Sequence, residues 1–146
     1  MREVITAAAL GLATLTNPAT AEDSKKMVTI LTSAEPQTQL MGMVLTMQTI
    51  QAGASSYVLL CGPAGDLALK EAPASATAPQ APMGMSPQGL MQKIIEAGAT
   101  VEVCAIYLPN KGVDTTALVE GISAAKPPAV AARLLICGAA SHSRPV

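Results

Sequence analysis

The chain has 146 residues, 50% of them hydrophobic and 13% charged, with 9 Lys and Arg against 10 Asp and Glu for a formal net charge of −1. That length builds one domain with its own core, and the apolar fraction excludes a wholly disordered chain. The charge leaves no basic field for a nucleic-acid backbone, two tyrosines without Phe or Trp give no base-stacking platform, and a single histidine, His142, excludes a zinc site built on paired imidazoles and argues against a His-dependent triad.

Arg2 precedes an apolar run over residues 4–15, too short to span a bilayer as a helix. Asn17 and Pro18 break the run before the small-x-small step at Ala19, Thr20 and Ala21. This pattern predicts a secretory signal peptide over residues 1–21, cleaved after Ala21, and a periplasmic or secreted mature chain without a membrane span. Residues 22–146 then form a single domain.

Residues 27–31 (MVTIL) are a short apolar run with β-branched members, a buried strand. Over 37–52, Leu40, Met41, Val44, Leu45, Met47 and Ile50 recur near a 3.6-residue period, predicting a helix that Gly53 stops. Residues 57–61 (YVLLC) are a second strand, closed by a turn at Gly62 and Pro63, and 66–71 predict a short helix. Residues 72–85 are rich in Ala and Pro and lack a hydrophobic period, so they are expected as a surface loop or flap. Ser86 is placed to cap a helix with Pro87 in its first position, running to Ala97 and closed by Gly98.

A third strand follows over 101–107 (VEVCAIY), then a turn at 109–112. Residues 115–124 suggest a weak helix with Gly121 inside it, and Lys126, Pro127 and Pro128 introduce another over 129–135. A last short strand fits 134–137, ahead of a polar tail over 138–146 that holds His142. Strands separated by helices predict an α/β fold, three-layer α/β/α, with a mostly parallel sheet of about four to five strands. Such sheets carry functional groups at the carboxyl ends of their strands, where Cys61 and Cys104 fall.

Cys104 sits late in its strand near a turn containing Lys111, and a lysine and a following helix N-terminus both favour thiolate. By composition alone, a cysteine in an apolar strand is more often a small core residue. Cys61, Cys104 and Cys137 leave one thiol over if two pair in an oxidising compartment; the sequence does not say which, and Cys61 is expected buried and reduced. Two methionine groups (Met41, Met43, Met47 and Met83, Met85, Met91) offer soft thioethers suited to Cu(I), though flexible core filling explains most of them in a chain without Phe or Trp. The turn from Gly62 to Asp66 lacks the spacing and the Lys-Ser/Thr pair of a phosphate-binding loop.

The segment from Gln88, Gly89, Leu90 and Met91 through Gly98 to Val101, Glu102, Val103 and Cys104, and on to Gly112 and Val113, resembles the DsrE/DsrF-like family of sulfur-relay proteins. There a helix ending in Gly leads to a strand bearing one Cys, followed by a short segment and a Gly. The likeness extends over residues 27–135. It implies a doubly wound α/β subunit that assembles as a homo-oligomer (trimer or hexamer) or a mixed ring. It also implies a persulfide carried on the matching cysteine, exchanged with a sulfur donor or acceptor protein and needing no organic cofactor. Only Cys104 receives that role. The alternative reading is a non-catalytic oligomeric binding module for a small ligand or a soft metal such as Cu(I), with the flap and its methionines lining the pocket.

Overall fold

Four short apolar runs pair into one parallel sheet: β1 (Lys26–Leu31), β2 (Ser55–Leu60), β3 (Thr100–Val103) and β4 (Ile122–Ala124), in the order β1-β2-β3-β4. The computed structural model describes residues 25–139; the leader expected over 1–21, and His142 within the tail, lie outside them. β2 is buried from Ser56 to Leu60 because it lies inside the sheet with helices over both faces, which also explains its unbroken apolar sequence.

Helices α1 (Pro36–Gln51), α2 (Ala74–Thr77), α3 (Pro87–Glu96), α4 (Tyr107–Lys111) and α5 (Pro127–Ala139) complete the described chain, with 3-10 segments at Gly62–Ala68 and Thr115–Ala117. At the start of α1 the Glu35 carboxylate accepts the amides of Gln37 (3.0 Å) and Thr38 (2.6 Å), and these bonds hold its pKa below the usual carboxylate value. Ser86 caps α3 as expected, its Oγ accepting the Gly89 amide at 3.1 Å ahead of Pro87. α1 and α3 pack together over one face of the sheet. The main core lies there, built on Met43, Leu60, Met91, Ile94, Val101 and Val103, all fully buried. α5 returns across the other face to reach β1, over a thinner cluster of Tyr57, Leu59, Ala125 and Val130. The three layers expected of the α/β fold are thus present. Among the described residues no helix is long and apolar enough to cross a membrane.

Five local expectations are corrected. The third strand ends at Val103 rather than at residue 107, because the chain turns at Cys104, whose carbonyl accepts the Tyr107 amide at 2.9 Å. The turn expected over 109–112 is the end of α4, with Gly112 at φ 75 as its left-handed cap. The helix expected over 115–124 is a single 3-10 turn followed by β4; Gly121 at φ 84 ends any helix, and Ile122 pairs with Val101. The short helix expected over 66–71 starts earlier, at Gly62, directly after β2. Residues 134–137 continue α5 through Ala139 instead of forming a strand, an ambiguity inherent to short apolar runs.

The 72–85 segment carries the single turn α2 and a bridge between Gln80 and Met85. Met43 and Met91 are core residues at 0% exposure, whereas Met41 and Met83 are exposed at 55% and 84%.

Candidate functional site: a cysteine pair at the strand ends

β2 and β3 run parallel in a register that pairs Leu60 with Val103. The next residues on each, Cys61 and Cys104, therefore stand side by side at the carboxyl edge of the sheet. Side chains alternate between faces along a strand, so Cys61 projects to the same side as Tyr57 and Leu59, the side covered by α5; both cysteines pack on that cluster. Their Cα atoms are 5.1 Å apart, within the normal span of a bridged pair, and the two sulfurs are joined as a disulfide. The expectation of a reduced Cys61 is corrected: its neighbour across the ladder is another cysteine.

The backbone holds this pair independently of the sulfur bond. The Cys61 amide donates to the Leu31 carbonyl at 2.9 Å, and the Cys104 amide donates to the Leu60 carbonyl at 2.8 Å, extending the parallel ladder by one residue on each strand. Beyond each cysteine the chain enters a helical segment, and these two segments are clamped together. Asp66, in the 3-10 segment after Cys61, accepts a hydrogen bond from the Tyr107 hydroxyl and another from Lys111 Nζ at 2.7 Å, both from α4 after Cys104. The ring of Tyr107 lies against Gly65, where a Cβ would meet its carbons at 2.5 Å. Disulfide and clamp thus tie the same two strand ends at successive levels.

Electrostatics follow from this arrangement. Burial pushes the Asp66 carboxyl up, but the bonds from Lys111 and Tyr107 outweigh it and hold its pKa below the ordinary value of 3.8. Burial, with the neighbouring Asp66 charge, pushes the Tyr107 phenol up. Lys111, expected to favour a Cys104 thiolate, instead has its ammonium bonded to Asp66. Because the folded-state pKa of Asp66 is depressed, its contribution to stability is present above the unfolded carboxyl value and is lost as pH falls through the folded one. Asp66→Asn is therefore expected to cost about 1–2 kcal/mol near neutral pH, hydrogen bonds to a charged group counting for more than neutral ones, and to flatten the acid limb of the stability curve. Urea denaturation from pH 6 to pH 2.5 measures this; an unchanged limb in the variant contradicts the clamp.

Cys104 is half-buried and lines an apolar cavity of about 270 Å³ with Leu59, Ala105, Ala125, Pro127 and Val130, under α5. Cys61 does not line it. Cys137 lies in α5 and its backbone is helical. On the opposite face of the molecule, Met41, Met47, Met83 and Met85 line a groove of about 460 Å³ between α1 and the 80–85 loop. This groove is built apart from the cysteines. Sequence reasoning singled out Cys104 and placed Cys61 near a strand end; it missed Gly65, Asp66 and Tyr107. The available signal for Tyr107 was rarity: it is one of two aromatics in the chain, three residues after a cysteine.

Fold and site define a parallel α/β domain with a paired cysteine centre at the carboxyl edge of its inner strands. Two solved structures share the fold. The ychN protein from E. coli superposes with a TM-score of 0.59 at 15% identity, covering 77% of this chain and 92% of that one. A protein of unknown function, MTH1491 from Methanobacterium thermoautotrophicum, superposes at 0.56 with 13% identity, covering 78% and 94%. At these identities the likenesses are of fold alone. No protein-family model matches the chain, and no curated protein matches its sequence.

Proposed function

We propose that this protein is an exported sulfur carrier in which Cys104 holds a sulfane sulfur as a persulfide. The observation that carries the reading is the position of Cys104, at a strand end, half-buried, and opening on an apolar cavity of about 270 Å³. The cavity opens to solvent, which gives a docked partner access to the Cys104 sulfur. The Cys61–Cys104 disulfide accords with export, since such bonds persist in oxidising compartments. The DsrE-like fold supports the same role for the cysteine that the sequence resemblance selects.

The test is sulfur loading. Reduced wild-type protein treated with polysulfide is expected to gain a reducible sulfur, about 32 Da, and Cys104→Ser is expected to gain none at that strand. Loading that survives in Cys104→Ser overturns the assignment.

We further propose self-assembly, as a trimer or hexamer, through the apolar surface that α1 and the sheet edge leave uncovered: Ile30, Met41 and Leu45 are each about half exposed. Met41 and Leu45, four residues apart on α1, share one exposed helix face, a surface that self-assembly would cover. Light scattering is expected to give a multiple of the subunit mass; a monomer at micromolar concentration contradicts it.

A further inference from the structure

We infer that the Cys61–Cys104 disulfide is itself the sulfur-accepting form of the protein and that its substrate is hydrosulfide. The inference rests on the proposed persulfide role of Cys104 and names how that persulfide is made.

Three observations carry it. The two sulfurs are chemically alike but differently placed: Cys104 faces the 270 Å³ cavity and Cys61 does not. A nucleophile entering the cavity therefore meets the Cys104 sulfur, and Cys61 is the leaving group. The cavity is lined by aliphatic side chains, with no charged side chain at its wall. It admits sulfide as its small neutral acid, which ionises to hydrosulfide, and offers no partner for the charges of a thiol such as glutathione. Finally, the strand ends are held by more than the sulfur bond: the Cys104 amide donates to the Leu60 carbonyl of the neighbouring strand, and Asp66 is bonded to Tyr107 and Lys111 across the two following segments. The released Cys61 thiol is thus kept beside Cys104, so the step is reversible and the pair can close again.

The step is an ordinary thiol–disulfide exchange. Hydrosulfide attacks Cys104 Sγ, a new sulfur–sulfur bond forms, and the Cys61–Cys104 bond breaks. Its electron pair leaves on Cys61, which takes a proton from water. The sulfide is oxidised by two electrons to a sulfane sulfur and the disulfide is reduced to one thiol and one persulfide, which keeps the proton hydrosulfide brought. No further oxidant is consumed in this step. In the reverse direction Cys61 expels the sulfur as hydrosulfide, so Cys61 is the residue that decides whether the carrier holds its cargo.

The experiment uses the full-length oxidised protein in oxygen-free buffer with sodium sulfide, quenched with an alkylating reagent and mapped by mass. The expected result is loss of the Cys61–Cys104 linked peptide, with about 32 Da gained at Cys104 and a single alkylation at Cys61. Glutathione at the same concentration is expected to open the bond at least about tenfold more slowly, since a charged thiol must enter a cavity whose wall offers its charges no partner. Cys61→Ser is expected to take no sulfur from sulfide and, once loaded from polysulfide, to keep its sulfur longer than the wild type, because no thiol beside Cys104 expels it. A linked peptide that survives sulfide overturns the inference, as does a persulfide found on Cys61. Polysulfide loading of the reduced protein decides the carrier role separately: if that loading succeeds while sulfide fails, the carrier stands and only this route falls.

Discussion

Reducing the Cys61–Cys104 bond is expected to lower the unfolding free energy by roughly 4 kcal/mol, from the chain-entropy relation for a loop of this size. The bond closes a segment 43 residues long in sequence, which includes the 3-10 segment, α2, α3 and β3. Its opening frees the unfolded chain far more than the folded one, because the native strand ends are still held by the ladder amides and by the Asp66 clamp. The folded state should therefore survive reduction with nearly unchanged far-ultraviolet dichroism while its urea midpoint falls. Paired urea titrations with and without reductant measure the difference. A shift below about 1 kcal/mol, far under the entropic expectation, would mean that the pair is not bonded in the native protein or that the unfolded chain is already constrained.

Gly65→Ala is expected to be the most damaging single-methyl insertion near the site. The new Cβ would lie 2.5 Å from two carbons of the Tyr107 ring. Gly65 does not need a left-handed backbone, so the penalty is steric. The ring cannot simply swing aside, because its hydroxyl is bonded to Asp66 and its body is buried against the core. Forcing an extra methyl into a packed contact costs about 1–3 kcal/mol, and the shift would propagate to Cys104, three residues before the ring. A double-mutant cycle isolates the cause: in a Tyr107→Ala background the Gly65→Ala step should become nearly neutral. Equal costs in both backgrounds would place the damage elsewhere.

Much of this architecture was legible in the sequence, for reasons tied to particular residues. The Ser86–Pro87 start of α3, the period of Leu40, Val44 and Met47 in α1, and the apolar runs of β1 and β2 are strong local signals, and the structure follows each of them. β4 was hidden because three residues give no alternation to detect, and its Ile122 gains meaning only beside Val101. The site was half legible. Cys61 precedes a turn, which marks it as a strand-end residue, whereas Cys104 reads as three residues inside a strand expected to run to residue 107. Their pairing depends on β2 lying beside β3 and on a register that sets Leu60 against Val103, and neither strand order nor register is written in a single chain. The same limit hid Asp66 and Tyr107, which are 41 residues apart and meet only because the strands before them are neighbours.

Under the proposed carrier role, the clamp and the disulfide fix the place of the reactive sulfur. The carboxyl edge of a parallel sheet offers backbone-fixed positions open to one side. In this chain that opening is narrowed by α5, whose Val130 and Pro127 roof the space beside Cys104.

Under the proposed function Cys104 is a reactive strand-end sulfur and not a core residue. The most direct measurement is site-resolved mass analysis of the folded, reduced protein after polysulfide exposure, with an alkylating reagent added before any denaturant. We expect a reducible gain of about 32 Da localised to Cys104, trapped by the reagent while the protein is still folded. A Cys104 that gains no sulfur and resists alkylation until the protein unfolds would contradict the account.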